Sequence, residues 1–440
     1  MGKLGSVLAA VLAESGARVV GVDLNRDAVA AINEHRAPVN EPGLAELVAA
    51  QGERLSATSD LAAAIGATEI TFVVVPTPSA PDGSFSLDAV LAVCQGIGEA
   101  LRQKPGYQII VISSTVTPGS MSGRILPLLE RVSSKICGAD FGLCYQPEFI
   151  ALGRVIEDLR NPDMILIGES DPLAGATLEA LLAQVCRNRP HMARMNFVNA
   201  ELAKISLNSF VTMKISFANT LAEICDRVEG ADAAAVLGTI GMDRRVGSKY
   251  LQGALGYGGP CFPRDNAAFS RFARNNGVEA PLAEASDRVN RRQASLLCDR
   301  ILEVLPEGGI VGVLGLAYKA DTDVVEESQG VQLAQALVAA GREAIVWDPQ
   351  ACANAERVLG GAVRYARSMA ECAKAASVLA IVTPWNEFRA LLPQDLQTPS
   401  VPVIDCWRIL PADAFPRYET IGCGPKAASR CIAAGVLAAG

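Results

Sequence analysis

The chain is predicted to be α/β, with two Rossmann-like parallel-sheet domains joined by a central helical domain that contains a long helix. Three observations predict it. Short apolar, β-branched runs at 70–75, 107–113 and 164–168 alternate with helical stretches, the pattern of a sheet whose crossovers are helices. Residues 197–228 carry neither Pro nor Gly and read as one long helix, and shorter helical pieces follow to about residue 303. A second alternation of strands and helices begins at 309–314. The 440 residues suffice for two or three domains of ordinary size, and the changes of texture place them at 1–186, 187–303 and 304–440.

Taken in order, residues 4–14 have helical spacing, Ser15 and Gly16 break it, and 17–24 read as a strand with Asp23 near its end. A further short strand is expected at 141–145. In the last third, strand 309–314 leads to a helix near 329–340, with Glu326, Glu327 and Ser328 at its start, and then to strands at 343–347, 378–383 and 401–405. The two α/β parts share no residue-level repeat, which sets aside a solenoid or a propeller.

Composition excludes several classes of function. Hydrophobic types make up 50% of the chain and charged types 20%, which rules out a disordered chain or a coiled coil. Lys and Arg total 39 against 47 Asp and Glu, a net charge of −8, with no footprint for nucleic acid or an anionic membrane. A local basic pocket for a phosphorylated small molecule stays allowed. The longest apolar runs are of strand length, so no transmembrane helix is expected. The two histidines, His35 and His191, lie far apart, which argues against a zinc site or a His-based triad, and no metal is expected. Twelve cysteines without a CxxC pair or a leading secretory signal fit a reduced, cytoplasmic setting.

Candidate chemistry begins at the amino terminus. Gly2 and Gly5, with a helix behind them and Asp23 closing the next strand, match the latter part of a dinucleotide fingerprint. Glycines let the backbone approach a pyrophosphate, the helix start supplies free amides, and the acid accepts from a ribose hydroxyl. Asp23 in place of a basic residue favours NAD over NADP. The first fingerprint glycine and the strand before it are missing from the sequence. We therefore expect a chain that starts late, with Gly2 and Gly5 as the second and third glycines. The alternative is that another segment takes that strand's central place. Pro76 and Thr77, and Ser113 to Thr115, follow strands directly, where parallel sheets bind ligands.

Residues 256–265 are the most informative segment. Its glycines and prolines specify a fixed loop that presents Cys261 beside Arg264 and Asp265, a setting for a nucleophile rather than for a buried filler cysteine. Glu201, Lys204 and Asn208 share one helix face by their spacing of three and four residues. That face either meets solvent or turns to the cysteine loop. In the second case Lys204 stabilises thiolate or oxyanion charge and Asn208 donates a hydrogen bond. Glu148, between Pro147 and Phe149, is either a buried structural acceptor or a general base with a raised pKa.

Residues 258–265, 147–149, 201–208 and 315–319, matched together and in order, resemble the UDP-glucose/GDP-mannose dehydrogenase family of NAD-dependent nucleotide-sugar 6-dehydrogenases, over nearly the whole chain. The resemblance implies a four-electron oxidation of a sugar C6 alcohol to a carboxylate. Cys261 would capture the aldehyde as a thiohemiacetal and carry a thioester that water hydrolyses. It implies Glu148 as the base in hydrolysis, Lys204 and Asn208 around the reacting oxygen, Asp265 as the carboxylate beside the cysteine, and Thr115 as positioning water.

For NAD it implies Gly2, Gly5, Asp23, Pro76, Thr77, Thr115 and Arg264. For the nucleotide sugar it implies Phe149, Lys204, Arg245, Lys249, Tyr250, Gly258, Lys319 and Arg408. A homodimer or higher homo-oligomer through the long helix is implied too. Leu152 stands where many members have a second glutamate: either Glu148 works alone or the water network differs. UDP-glucose is the favoured substrate. The alternatives are the same chemistry on a UDP-N-acetylhexosamine or GDP-mannose, an inactive sugar-nucleotide-binding protein, and a two-electron hydroxyacid-type dehydrogenase that needs no cysteine.

Overall fold

The computed structural model describes residues 1–425. The chain forms two compact units, one of residues 1–210 with 261–284 and one of residues 211–260 with 285 onward. Both contain a Rossmann-like sheet, and a helical region lies between the two sheets in the chain.

In the first unit the helix Lys3–Glu14 is buried at every position from Ser6 to Ala13, so it is an interior helix with no polar face. Val19–Val22 (β1) pairs in parallel with Leu55–Thr58 (β2). The remaining strands form a separate sheet: Ile70–Val73 (β3), Gln108–Ile112 (β4), Phe141–Tyr145 (β5), Met164–Glu169 (β6) and His191–Met195 (β7), in that spatial order. Among the described residues no strand pairs with the second edge of β1 or of β3.

Strand β4 is buried along its whole length, because helices cover both faces. Ile110 and Ile112 pack with Val90, Cys94, Ile97 and Leu101 of the helix Asp88–Gln103. Ile109 and Val111 pack with Ala174, Leu178 and Leu182 of the helix Pro172–Val185. The two-residue alternation of the strand thus feeds two cores. The expected parallel arrangement holds within two groups of strands, β3, β4 and β5 and then β6 and β7, and is broken at one pair, where β6 runs antiparallel to β5. A short apolar run has the same pattern in either direction, so orientation was not readable from it.

The long helix is Phe197–Cys225, 29 residues, and the division between units falls within it. Ala233–Gly241, Phe262–Asn275, Pro281–Arg291 and Gln293–Val304 follow as shorter helices. In the second unit Ile310–Leu314 (β8), Glu343–Trp347 (β9), Arg364–Tyr365 (β10), Val378–Ile381 (β11), Val403–Asp405 (β12) and Tyr418–Thr420 (β13) form one sheet in the order β10-β9-β8-β11-β12-β13. All its pairings are parallel. Ser328 caps the helix Gln329–Ala339, its hydroxyl accepting from Val331 N, which ends the segment headed by Glu326 and Glu327 in the expected way.

Candidate active site

The polar face of the long helix turns inward. Glu201 is 0%, Asn208 5% and Lys204 6% exposed, and each reaches a different segment of the first unit. Lys204 Nζ donates to the Glu148 carbonyl at 2.7 Å and stands 4.5 Å from the centre of the Phe149 ring, a cation–π arrangement. Asn208 Nδ2 donates to Asp265 Oδ2 at 2.6 Å. Glu201 accepts from the backbone of the loop after β4. One helix therefore gathers two loops and the first turn of the helix Phe262–Asn275, and a solvent-facing stripe is excluded.

Cys261 is exposed and caps the helix Phe262–Asn275, its carbonyl accepting from Asp265 N at 2.8 Å. The Lys204 ammonium lies within electrostatic reach of Asp265, Cys261 and Glu148. A helix start and a nearby cation both favour negative charge on the sulfur. Burial lowers the Lys204 pKa, and the surrounding anions hold it up. Burial raises that of Asp265, against Lys204, Arg264 and Asn208. Burial also pushes the Glu148 carboxyl up to about 7, opposed by the hydrogen bond from Gln146 and by the Lys204 charge. Gln146 Nε2 donates to Glu148 Oε1 at 3.1 Å. A carboxyl that titrates near neutrality is suited to proton transfer.

Leu152 packs among the side chains around the helix Lys3–Glu14. The apolar residue at this position serves a core, which leaves Glu148 as the carboxylate of its loop within electrostatic reach of Lys204.

The residues expected to hold NAD lie at the start of the first helix and at strand ends. Gly2 caps the helix Lys3–Glu14 without a side-chain cap, which leaves first-turn amides for an anion. Asp23 follows β1, accepts from Asn25 N at 2.8 Å, and also meets the Met1 ammonium. Thr77, after β3, donates its hydroxyl to the Thr115 carbonyl at 2.8 Å, which ties the two strand-end loops together. Arg264 Nη1 donates to the Thr77 carbonyl at 3.2 Å, beside the Phe85 ring. Uncapped amides, a carboxylate at the end of β1 and a cation at the strand ends fit a dinucleotide.

The other predicted binding residues belong to the second unit. There a Cβ on Gly258 would lie 2.3 Å from the Glu327 carbonyl oxygen, and one on Gly259, at φ +81°, 2.5 Å from the Tyr318 ring. Only glycine permits that approach. The loop is fixed further by Asn290, which accepts from Tyr257 N at 2.7 Å and donates to the Tyr257 carbonyl at 2.9 Å. The structure thus brings Gly258 to the segment of Lys319, whose preceding residues Leu316 and Ala317 donate N–H to Asp348 at 2.8 and 3.0 Å. Arg245 is exposed and paired with Asp243 at 2.7 Å. Lys249 and Tyr250 are exposed. Arg408 pairs with Asp232 at 2.7 Å and donates to the Ile421 carbonyl at 3.1 Å, an engagement that nothing in the local sequence signalled.

A Rossmann-like sheet with a helix start that lacks a side-chain cap and a strand-end carboxylate, in one unit with a cysteine beside a buried lysine, defines the class as an NAD-dependent dehydrogenase. Family models agree: the UDP-glucose/GDP-mannose dehydrogenase NAD binding domain matches residues 1–186, the central domain 198–292 and the UDP binding domain 312–412. The chain is 39% identical over 394 residues to a UDP-glucose 6-dehydrogenase of Haloferax volcanii, covering 89% of this chain and 91% of that protein. It is 34% identical over 354 residues to a GDP-mannose 6-dehydrogenase of Azotobacter vinelandii, 79% of each. The solved UDP-glucose dehydrogenase from Pyrobaculum islandicum is similar over 95% of each chain, with 34% identity and a TM-score of 0.86. The chain belongs to the UDP-glucose/GDP-mannose dehydrogenase family, whose members are NAD-dependent enzymes of nucleotide sugars.

Proposed function

We propose that the chain oxidises the C6 alcohol of UDP-glucose to the carboxylate through a covalent intermediate on Cys261. The observation that carries this reading is the buried Lys204 ammonium, held on the Glu148 carbonyl and in electrostatic reach of Cys261 and Asp265. UDP-glucose is supported by the 39% identical relative and by the solved structure named for it. Bound NAD⁺ supplies the hydride acceptor, one equivalent for each of the two oxidations.

The residues of the chain divide the remaining work. Lys204 and Asn208 stabilise negative charge on the C6 oxygen as its proton passes to water. The Cys261 sulfur adds to the aldehyde carbon, forming a C–S bond, so that the hemithioacetal carbon carries the hydrogen lost in the second oxidation. Glu148 takes a proton from the water that attacks the thioester, Thr115 positions that water, and the thiolate leaves. The test is NADH formed per sugar consumed across UDP-glucose, UDP-N-acetylhexosamines and GDP-mannose. Two NADH and an acid product with UDP-glucose support the reading. Preference for another sugar reassigns the substrate, and one NADH per sugar overturns the four-electron reaction.

Because the Glu148 carboxyl sits near 7 and works as a base, its active form is the ionised one. Acid formation is expected to fall about tenfold per pH unit below 7 and to level off above it. Glu148→Gln should remove that limb and slow turnover about 10²- to 10³-fold, as read from kcat against pH.

The proposal extends to a homodimer. Phe210, Phe217 and Ile224 recur every seven residues on the long helix and are 60%, 54% and 53% exposed, an apolar seam that a second copy would cover. Phe217→Glu is expected to shift the light-scattering mass from dimer to monomer, and a monomeric parent protein would refute the assignment. A cytoplasmic setting is also proposed. It is supported by the cysteine spacing, twelve cysteines without a CxxC pair. Among the described residues no helix is long and apolar enough to cross a membrane.

A further inference from the structure

Glu201 lies three residues before Lys204 on the same helix, and its whole carboxylate is engaged by the loop after β4. Oε2 accepts from Gly119 N at 2.7 Å and Oε1 from Met121 N at 2.8 Å. Between them Ser120 donates its hydroxyl to the Thr117 carbonyl at 2.5 Å. The opposite end of the loop is tied to the segment that follows β3, where Thr77 holds the Thr115 carbonyl and the Ser114 hydroxyl accepts from Val75 N at 3.0 Å. The loop that carries Thr115 is therefore fixed at one end to the sheet and at the other to the helix that carries Lys204 and Asn208.

We propose that Glu201 is a positioning residue for the reaction: its two oxygens lock the Thr115 loop to the long helix and so set Thr115 against Lys204 and Asn208. The inference rests on the role proposed above for Thr115. A carboxylate suits this task because each oxygen takes one of two N–H groups two residues apart, which fixes orientation as well as distance. A glutamine would offer one acceptor and set its NH2 against the other N–H. An aspartate would keep both acceptors but draw the loop inward by one methylene. Desolvation raises the pKa of Glu201, while the backbone donors of residues 119–121 oppose the rise, so the carboxylate depends on the loop it holds.

The test compares the full-length parent with Glu201→Gln, Glu201→Asp, Thr115→Ala and the Glu201→Gln/Thr115→Ala double variant. It uses the nucleotide sugar that turns over fastest and records kcat, both KM values and the thermal midpoint. A displaced loop is expected to lower kcat about 10- to 100-fold in Glu201→Gln, with the sugar KM changed less than about threefold. The double variant should be no slower than Thr115→Ala, because Glu201 acts through Thr115. A Glu201→Gln enzyme with parental kcat and only a lower midpoint overturns the proposal, as do losses that multiply in the double variant. If Glu201→Gln does not fold, Glu201→Asp decides in its place, and failure of both assigns Glu201 to the fold alone. A Thr115→Ala enzyme with parental kcat refutes the Thr115 reading itself and the inference with it.

Discussion

Replacing Cys261 by Ala is expected to lower formation of the sugar acid by about 10³-fold or more. The first oxidation needs no sulfur, since Lys204 and Asn208 act on the alcohol oxygen. The second does, because an aldehyde has no C–H bond poised for hydride loss until a nucleophile has added to it. Without the thiol, NADH per sugar should fall from two to one or less, and no covalent adduct should appear in the intact mass of enzyme quenched during turnover. Cys261 is exposed, so truncating it should leave the unfolding free energy within about 0.5 kcal/mol, which separates lost chemistry from lost structure. Cys261→Ser tests the same step without changing the size of the side chain much, since a hydroxyl is the weaker nucleophile at neutral pH. Undiminished turnover in Cys261→Ala would instead favour a two-electron dehydrogenase.

How much of this was legible in the sequence follows from the range of each signal. The helix Phe197–Cys225 was readable because it lacks Pro and Gly, and the shared face of Glu201, Lys204 and Asn208 follows from helical spacing alone. What that face touches was not readable. Lys204 meets a carbonyl 56 residues away and Asn208 a carboxylate 57 residues away, distances at which only the tertiary fold decides. The strand β7, His191–Met195, was missed because it is partly exposed and has no β-branched residue. The direction of β6 was missed because alternation has no polarity. The contacts of Glu201 were hidden for another reason: its partners are backbone N–H groups, which every residue but proline carries and no motif displays. The Arg408 pair with Asp232 likewise spans far too much sequence for a local pattern.

Lys204→Met is expected to lower kcat about 10²- to 10³-fold, the loss seen when a single preorganised donor to a developing oxyanion is removed. Its further signature is a shifted pH profile. The Lys204 charge opposes the rise of the Glu148 pKa, so without it burial acts less opposed and the acidic limb of kcat should move above pH 7. Asp265 responds in the same direction, since Lys204 is the first of the groups that hold its pKa down. A carboxyl whose folded-state pKa lies above its unfolded value binds its proton more tightly when folded, so its contribution to stability is present at low pH and is lost as pH rises through the folded pKa. Lys204→Met should therefore be destabilised more at pH 8 than at pH 5, by on the order of 3 kcal/mol at the alkaline end, where Asp265 is left buried without its ammonium. Lys204→Arg should not restore the rate, because a planar guanidinium does not reproduce a compact ammonium on the Glu148 carbonyl. Chemical denaturation at the two pH values and kcat against pH read the two effects independently. An acidic limb that stays at 7 in Lys204→Met would mean that the lysine does not act on Glu148, and the proton would have to leave by a different group.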